Sequence, residues 1–191
     1  MFGHPKPKVV ASTTFTLSNN GRMPNSHLPI VLYRGAGQGN DFQAFFKHQF
    51  AKNHWGGQWA QGIYGYHHFH SNAHEALGIA AGSAILLLGG DGGREIEVTP
   101  GDLLVLPAGT GHRRIKDSWD FWVVGAYPPG QENFDEFTDQ AMCANCGLRL
   151  RAVALPKHDP LYGTDGPVVR LWSAPRVERR PARRKRCLAP Q

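Results

Sequence analysis

The stretch Gly62-Ile-Tyr-Gly-Tyr-His-His-Phe-His-Ser-Asn-Ala-His-Glu75, running on to Gly82, decides how this chain is read, together with Gly101-Asp-Leu-Leu-Val-Leu-Pro107-Ala-Gly109-Thr-Gly-His112. The two blocks set His68, His70, Glu75 and His112 among glycines, in segments that otherwise alternate like short strands. Imidazole nitrogen and carboxylate oxygen together suit divalent Fe, Mn, Ni, Co, Cu or Zn. Residues two apart in an extended chain face the same side. His68 and His70 can therefore grip one ion from one strand, Glu75 returns after a turn at Ser71-Asn72, and His112 comes from a distant strand. The expectation is one divalent transition metal as cofactor, with these four residues as its ligands.

Outward from these blocks the pattern is one of strands and tight turns. From Gly56 on, strands are expected over 61–70, 75–81, 83–88, 94–98, 103–107, 112–116 and 120–127, with Gly89-Gly-Asp-Gly-Gly93 as a hairpin turn. That glycine run also resembles a phosphate-cradling loop, but no helix follows it, and anion loops of that kind open helices. Upstream, Pro29 to Tyr33 reads as the first strand, and residues 1–27 as a loose polar arm that pairs at most as an edge strand. Asn40-Asp41 can cap a helix in which Phe42, Phe45, Phe46 and Phe50 fall at helical spacing, expected to cover an open side of the barrel. Residues 132–142 suggest a short acidic helix.

At this point the two blocks resemble the paired motifs of the cupin superfamily, position by position, with the short spacing between motifs. One position departs: Lys116 stands where the second motif usually ends in Asn. The closer resemblance is to the small single-domain bacterial cupins called YjlB-like. It rests on the His-x-His-Ser-x-x-His-Glu run, on Gly125-Ala-Tyr-Pro-Pro-Gly-Gln131, on Leu155-Pro-Lys-His-Asp-Pro-Leu-Tyr-Gly163 and on Leu171-Trp172. It implies an all-β double-stranded β-helix, a jelly-roll barrel with one or two peripheral helices, spanning 28–173 between the arm and a basic tail at 174–191. It further implies a homodimer, because the open faces of such a barrel need covering.

Strand parity extends the site. If His68 and His70 point inward, Tyr64 and Tyr66 share their face; with Glu75 go Leu77, Ile79 and Ala81; with His112 go Arg114 and Lys116. The expected pocket has one apolar wall and another of phenols and cations, which suits a small, anionic ligand. Barrel filling is the competing reading for the two tyrosines, and a solvent-facing strand end for Arg114 and Lys116. His74 is expected beside the ligands, or in place of Glu75 if the turn is irregular.

Composition excludes several classes. Residues 176–186 hold six Arg, one Lys and one Glu, and so account for the whole formal charge of +6; the body is balanced. A nucleic-acid-binding regulator would rest on that tail alone, with no helix-turn-helix segment and no basic face on the body. The longest apolar run, Ala84 to Leu88, is too short for a bilayer, and no signal peptide is visible. Three cysteines suit a reducing cytoplasm. Cys143-x-x-Cys146 reads as two free surface thiols before it reads as half a zinc ribbon or a redox pair. The functional expectation is a metal-dependent enzyme, oxygenase- or isomerase-like, on a small organic substrate. The alternative is a barrel that binds metal or ligand and catalyses nothing.

Overall fold

The computed structural model describes residues 11–173; the basic tail, with its expected disorder, and residues 1–10 lie outside the described residues. Among the described residues nine strands form two antiparallel sheets. The larger contains β1 (Ser12–Phe15), β2 (Ile30–Tyr33), β7 (Leu103–Leu106), β4 (Glu75–Ala81), β9 (Trp122–Tyr127) and β3 (Gly56–Gln61), in that spatial order. The smaller contains β6 (Arg94–Val98), β5 (Ala84–Leu88) and β8 (His112–Asp117), and His68 adds an isolated bridge to His112 on the outer side of β8. The chain crosses between sheets at β4 to β5, β6 to β7, β7 to β8 and β8 to β9, which is jelly-roll topology. The all-β barrel expected from the paired motifs is the fold observed.

Alternation along each strand builds two cores. Leu77, Ile79, Leu104, Leu106 and Val123 from the larger sheet meet Leu86, Leu88, Ile96 and Val98 from the smaller, inside the barrel. The opposite face of the larger sheet, with Val31, Tyr33, Ala76, Val105 and Val124, packs on Phe46 and Phe50 of α1 (Phe42–Lys52) and on Trp172 of α3 (Pro167–Ser173). Asp41 caps α1 as its sequence suggests, accepting from Ala44 N at 2.9 Å. The helix lies against the sheet's outer face rather than over an open end of the barrel. Gly78 permits that approach, since a Cβ there would sit 2.4 Å from the Phe46 ring.

Three local expectations are corrected. The continuous strand 61–70 ends at Gln61; Gly62 and Gly65 interrupt it, and only His68 and Phe69 make isolated bridges, to His112 and Phe137. Residues 132–142 give only a 3-10 turn at Gln140–Met142, because Asp135 and Phe137 spend their backbone groups on His70 and Phe69. Cys143 is buried beside Met23 and Phe69 and Cys146 is half-buried where α2 (Cys146–Ala152) begins, so these are not two surface thiols. Of the N-terminal arm, Ser12–Phe15 does pair as an edge strand, on β2.

Candidate metal centre

His68, His70 and His112 are all buried, and one nitrogen from each lies within 4.8 Å of the others. Their rings are aimed by the backbone. Nδ1 of His68 lies 3.2 Å from the Tyr66 carbonyl, Nδ1 of His112 lies 3.0 Å from that of Thr110, and Nδ1 of His70 contacts that of Asp135. A carbonyl only accepts, so each Nδ1 carries the hydrogen, and a neutral ring then keeps its lone pair on Nε2. Glu75, the first residue of β4, brings Oε2 to 3.6 Å from Nε2 of His70 and 3.3 Å from Nε2 of His112. Neither approach has the alignment of a hydrogen bond: Oε2 is buried without a hydrogen-bond partner among the described residues.

The other carboxylate oxygen is fully engaged. Tyr127 OH donates to Glu75 Oε1 at 2.8 Å, and Trp59 Nε1 donates to the same hydroxyl at 2.8 Å. Trp59 faces Gly125 across the β3–β9 ladder, and a Cβ at Gly125 would lie 2.0 Å from the indole. The glycine therefore makes the space through which the indole reaches Tyr127. Burial and the Glu75 charge push the Tyr127 phenol far above its ordinary range, so it stays a donor.

Charge follows the same geometry. Burial by itself would raise the Glu75 carboxyl, but His70 and His112 hold it well below the usual range. Burial would lower His70, and the Glu75 carboxylate more than offsets it. Burial and the neighbouring His112 push His68 down to about 3, leaving it neutral at ordinary pH. With the rings neutral, three imidazole lone pairs and one carboxylate oxygen converge, a donor set that a cation would satisfy and that would otherwise draw a proton to His70. Nitrogen with hard oxygen fits a divalent transition metal, and backbone-anchored imidazoles are the usual way a protein fixes metal-binding histidines.

The four expected ligands are brought together. His74 is not among them: its Nδ1 accepts from Ala108 N at 2.9 Å, and its ring rests 4.7 Å from that of Trp172. Tyr64 lines the cavity above the donors, while Tyr66 stacks on it at the mouth and donates to Glu136 at 2.8 Å. Both are about half exposed, at 44% and 46%, so neither fills the barrel. The cationic wall does not form. The register of β8 shifts at Ile115, which sets Lys116 opposite Ile85 and away from the interior, and Arg114 turns to Asp117. Parity without a bulge is what misled there. Tyr127, Trp59 and Phe134 also line the cavity and were not singled out in the sequence. Tyr127 was within reach of parity, since it shares a face of β9 with Val123 of the barrel core. Phe134 was not, because it sits in an irregular segment.

A jelly-roll barrel with three histidines and a glutamate from two glycine-bounded blocks is the arrangement that the resemblance to cupins implies. Over 161 residues, 83% of this chain and 95% of the other, the sequence is 32% identical to the uncharacterized protein YjlB of Bacillus subtilis (strain 168). The chain belongs to the same family as that protein. No protein-family model matches it. Among solved structures, an acireductone dioxygenase from Bacillus anthracis with a cadmium ion in its active centre is 18% identical, at a TM-score of 0.35 over 45% of this chain and 58% of that one. Procruciferin, an 11S globulin from Brassica napus, is 17% identical at a TM-score of 0.35 over 58% of this chain and 23% of that one. The chain thus spans less than two thirds of either structure, and the likeness is too distant to bear on activity. Among the described residues no helix is long and apolar enough to cross a membrane.

Proposed function

We propose that this protein is a metal-dependent enzyme acting on a small organic molecule, with oxygenase- or isomerase-type chemistry, its metal held by His68, His70, Glu75 and His112. The observation that carries this is the buried convergence of four acceptor atoms at the floor of a cavity. A divalent metal bound there would supply Lewis acidity or a redox centre. The chain's own residues do the rest. Tyr127 occupies one oxygen of Glu75 and leaves the other for the metal. His68 stays unprotonated. Ile63 and Leu77 keep the approach apolar.

The proposal includes a homodimer, supported by the exposed outer strand β1, an edge that isolated chains seldom leave uncovered. It also includes a reducing compartment, supported by the free thiols of Cys143 and Cys146.

The test is turnover. Tag-free, metal-loaded protein and its His112→Ala variant are offered a panel of small organic substrates, with oxygen uptake and product NMR as readouts. The expected result is turnover that vanishes with His112→Ala. A metal-loaded chain that binds these compounds but changes none of them, and consumes no oxygen, is instead a binding module.

A further inference from the structure

The walls above the metal donors indicate what kind of molecule enters. The cavity encloses about 240 Å³, the liquid volume of roughly eight waters, which is room for one ring with a small substituent. Two stacked aromatic pairs flank it. Tyr127 and Phe134 stack at 4.4 Å and 23°, and Phe134 meets His70 edge-on at 4.9 Å. Tyr64 and Tyr66 stack at 4.9 Å and 16°, and Tyr64 meets His68 edge-on at 5.3 Å. Each of the two candidate donors His68 and His70 thus has one stacked pair against it. Tyr64, Tyr66 and Phe134 remain 44%, 46% and 38% exposed. Large rings left exposed in one patch mark a binding surface more often than chance, and here the patch opens onto buried donors.

Charge narrows the class further. No Lys or Arg lines this cavity among the described residues; apart from the histidines, its charged groups are Glu75 and Glu136. Arg114, two residues along β8 from the donor His112, is engaged by Asp117. A second anionic group on a ligand would lose its water and meet no cation.

We propose that the ligand is a flat aromatic ring whose only anionic group is the one turned toward the metal. The rings of Tyr64 and Phe134 receive it by stacked or edge-on contact, the arrangements aromatic pairs prefer. This rests on the metal reading of the site.

Three probes share one metal-directed group and separate the two claims. The Co(II)-loaded full chain is titrated with acetohydroxamate, benzohydroxamate and 4-carboxybenzohydroxamate, followed through its visible absorption spectrum. Benzohydroxamate should bind about tenfold tighter than acetohydroxamate, the worth of one or two good ring contacts. The 4-carboxy compound should lose most of that gain. Tyr64→Ala and Phe134→Ala, each at an exposed position, should shrink the ratio of benzohydroxamate to acetohydroxamate affinity. Equal binding of the first two probes would overturn the proposal, as would a 4-carboxy compound that binds as well as benzohydroxamate. A chain that takes up no Co(II) would overturn the metal site itself, and the ligand class with it.

Discussion

At the scale of single residues, the site is decided by which atom of each side chain is left over. Tyr127 consumes Glu75 Oε1, and backbone carbonyls consume three Nδ1 atoms, so one face of each group remains. Tyr127→Phe removes that donor and also strips Trp59 Nε1 of its acceptor. Metal affinity should fall by about 10- to 100-fold, as for the loss of other partners that orient metal ligands. Competition for Co(II) against a calibrated chelator measures it, and an unchanged affinity would show that Glu75 needs no such positioning. Gly125→Ala tests the space behind Tyr127. Its Cβ would lie 2.0 Å from the Trp59 ring, and the backbone ladder on both sides prevents retreat. Overpacking of this kind costs about 1–3 kcal/mol, to be read from the urea midpoint; a variant as stable as the parent would mean that the indole moves aside freely.

At the scale of elements, the donors depend on segments that are not strands. Asp135 holds Ser71 through its carboxylate and His70 through its carbonyl, and Arg149 of α2 binds both Asp135 and Ser71 Oγ, the latter at 2.7 Å. Arg149→Ala should therefore weaken metal binding severalfold from outside the cavity, while Arg149→Lys restores it only in part, because a point charge cannot reproduce the guanidinium fork. Isothermal titration with Zn(II) reads both variants, and equal affinities would sever α2 from the site.

His74 joins the start of β4 to Ala108, just after β7, and to α3, and its contact with Ala108 N needs a neutral Nδ1. Burial lowers it from 6.5 to about 4. On acidification the unfolded chain takes up the proton first. This contribution is therefore fully present above about pH 6.5 and is lost progressively down to about pH 4. Up to about 3 kcal/mol is at stake for a shift of that size. His74→Asn keeps an acceptor that does not titrate, so the urea midpoint of the metal-free variant should depend less steeply on pH across that window. Parallel curves for parent and variant would contradict it.

At the scale of the whole molecule, the two sheets bring Glu75, on β4 of the larger, to His112, on β8 of the smaller, to which His68 is bridged. The cluster of candidate ligands was legible because their spacing and the flanking glycines are local features. The barrel strands from β4 onward and helix α1 were legible because alternation and helical spacing are local too. The same reasoning failed where geometry is set from outside the segment. Lys116 was lost to a bulge at Ile115 that no alternation announces. The strand through Gly62 and Gly65 dissolved because Phe69 found its partner in Phe137, across the loop. Phe134 and Asp135 were missed because they act from irregular chain, where neither period applies. The central claim is that His68, His70, Glu75 and His112 hold one metal ion. Crystals of the full chain loaded with Zn(II), with anomalous difference maps on either side of the zinc edge, test it most directly. The account predicts one strong peak per chain, within about 2.0–2.2 Å of Nε2 of all three histidines and of a Glu75 oxygen. A saturated crystal whose peak lies elsewhere, or whose peak omits any of those three rings, would contradict it.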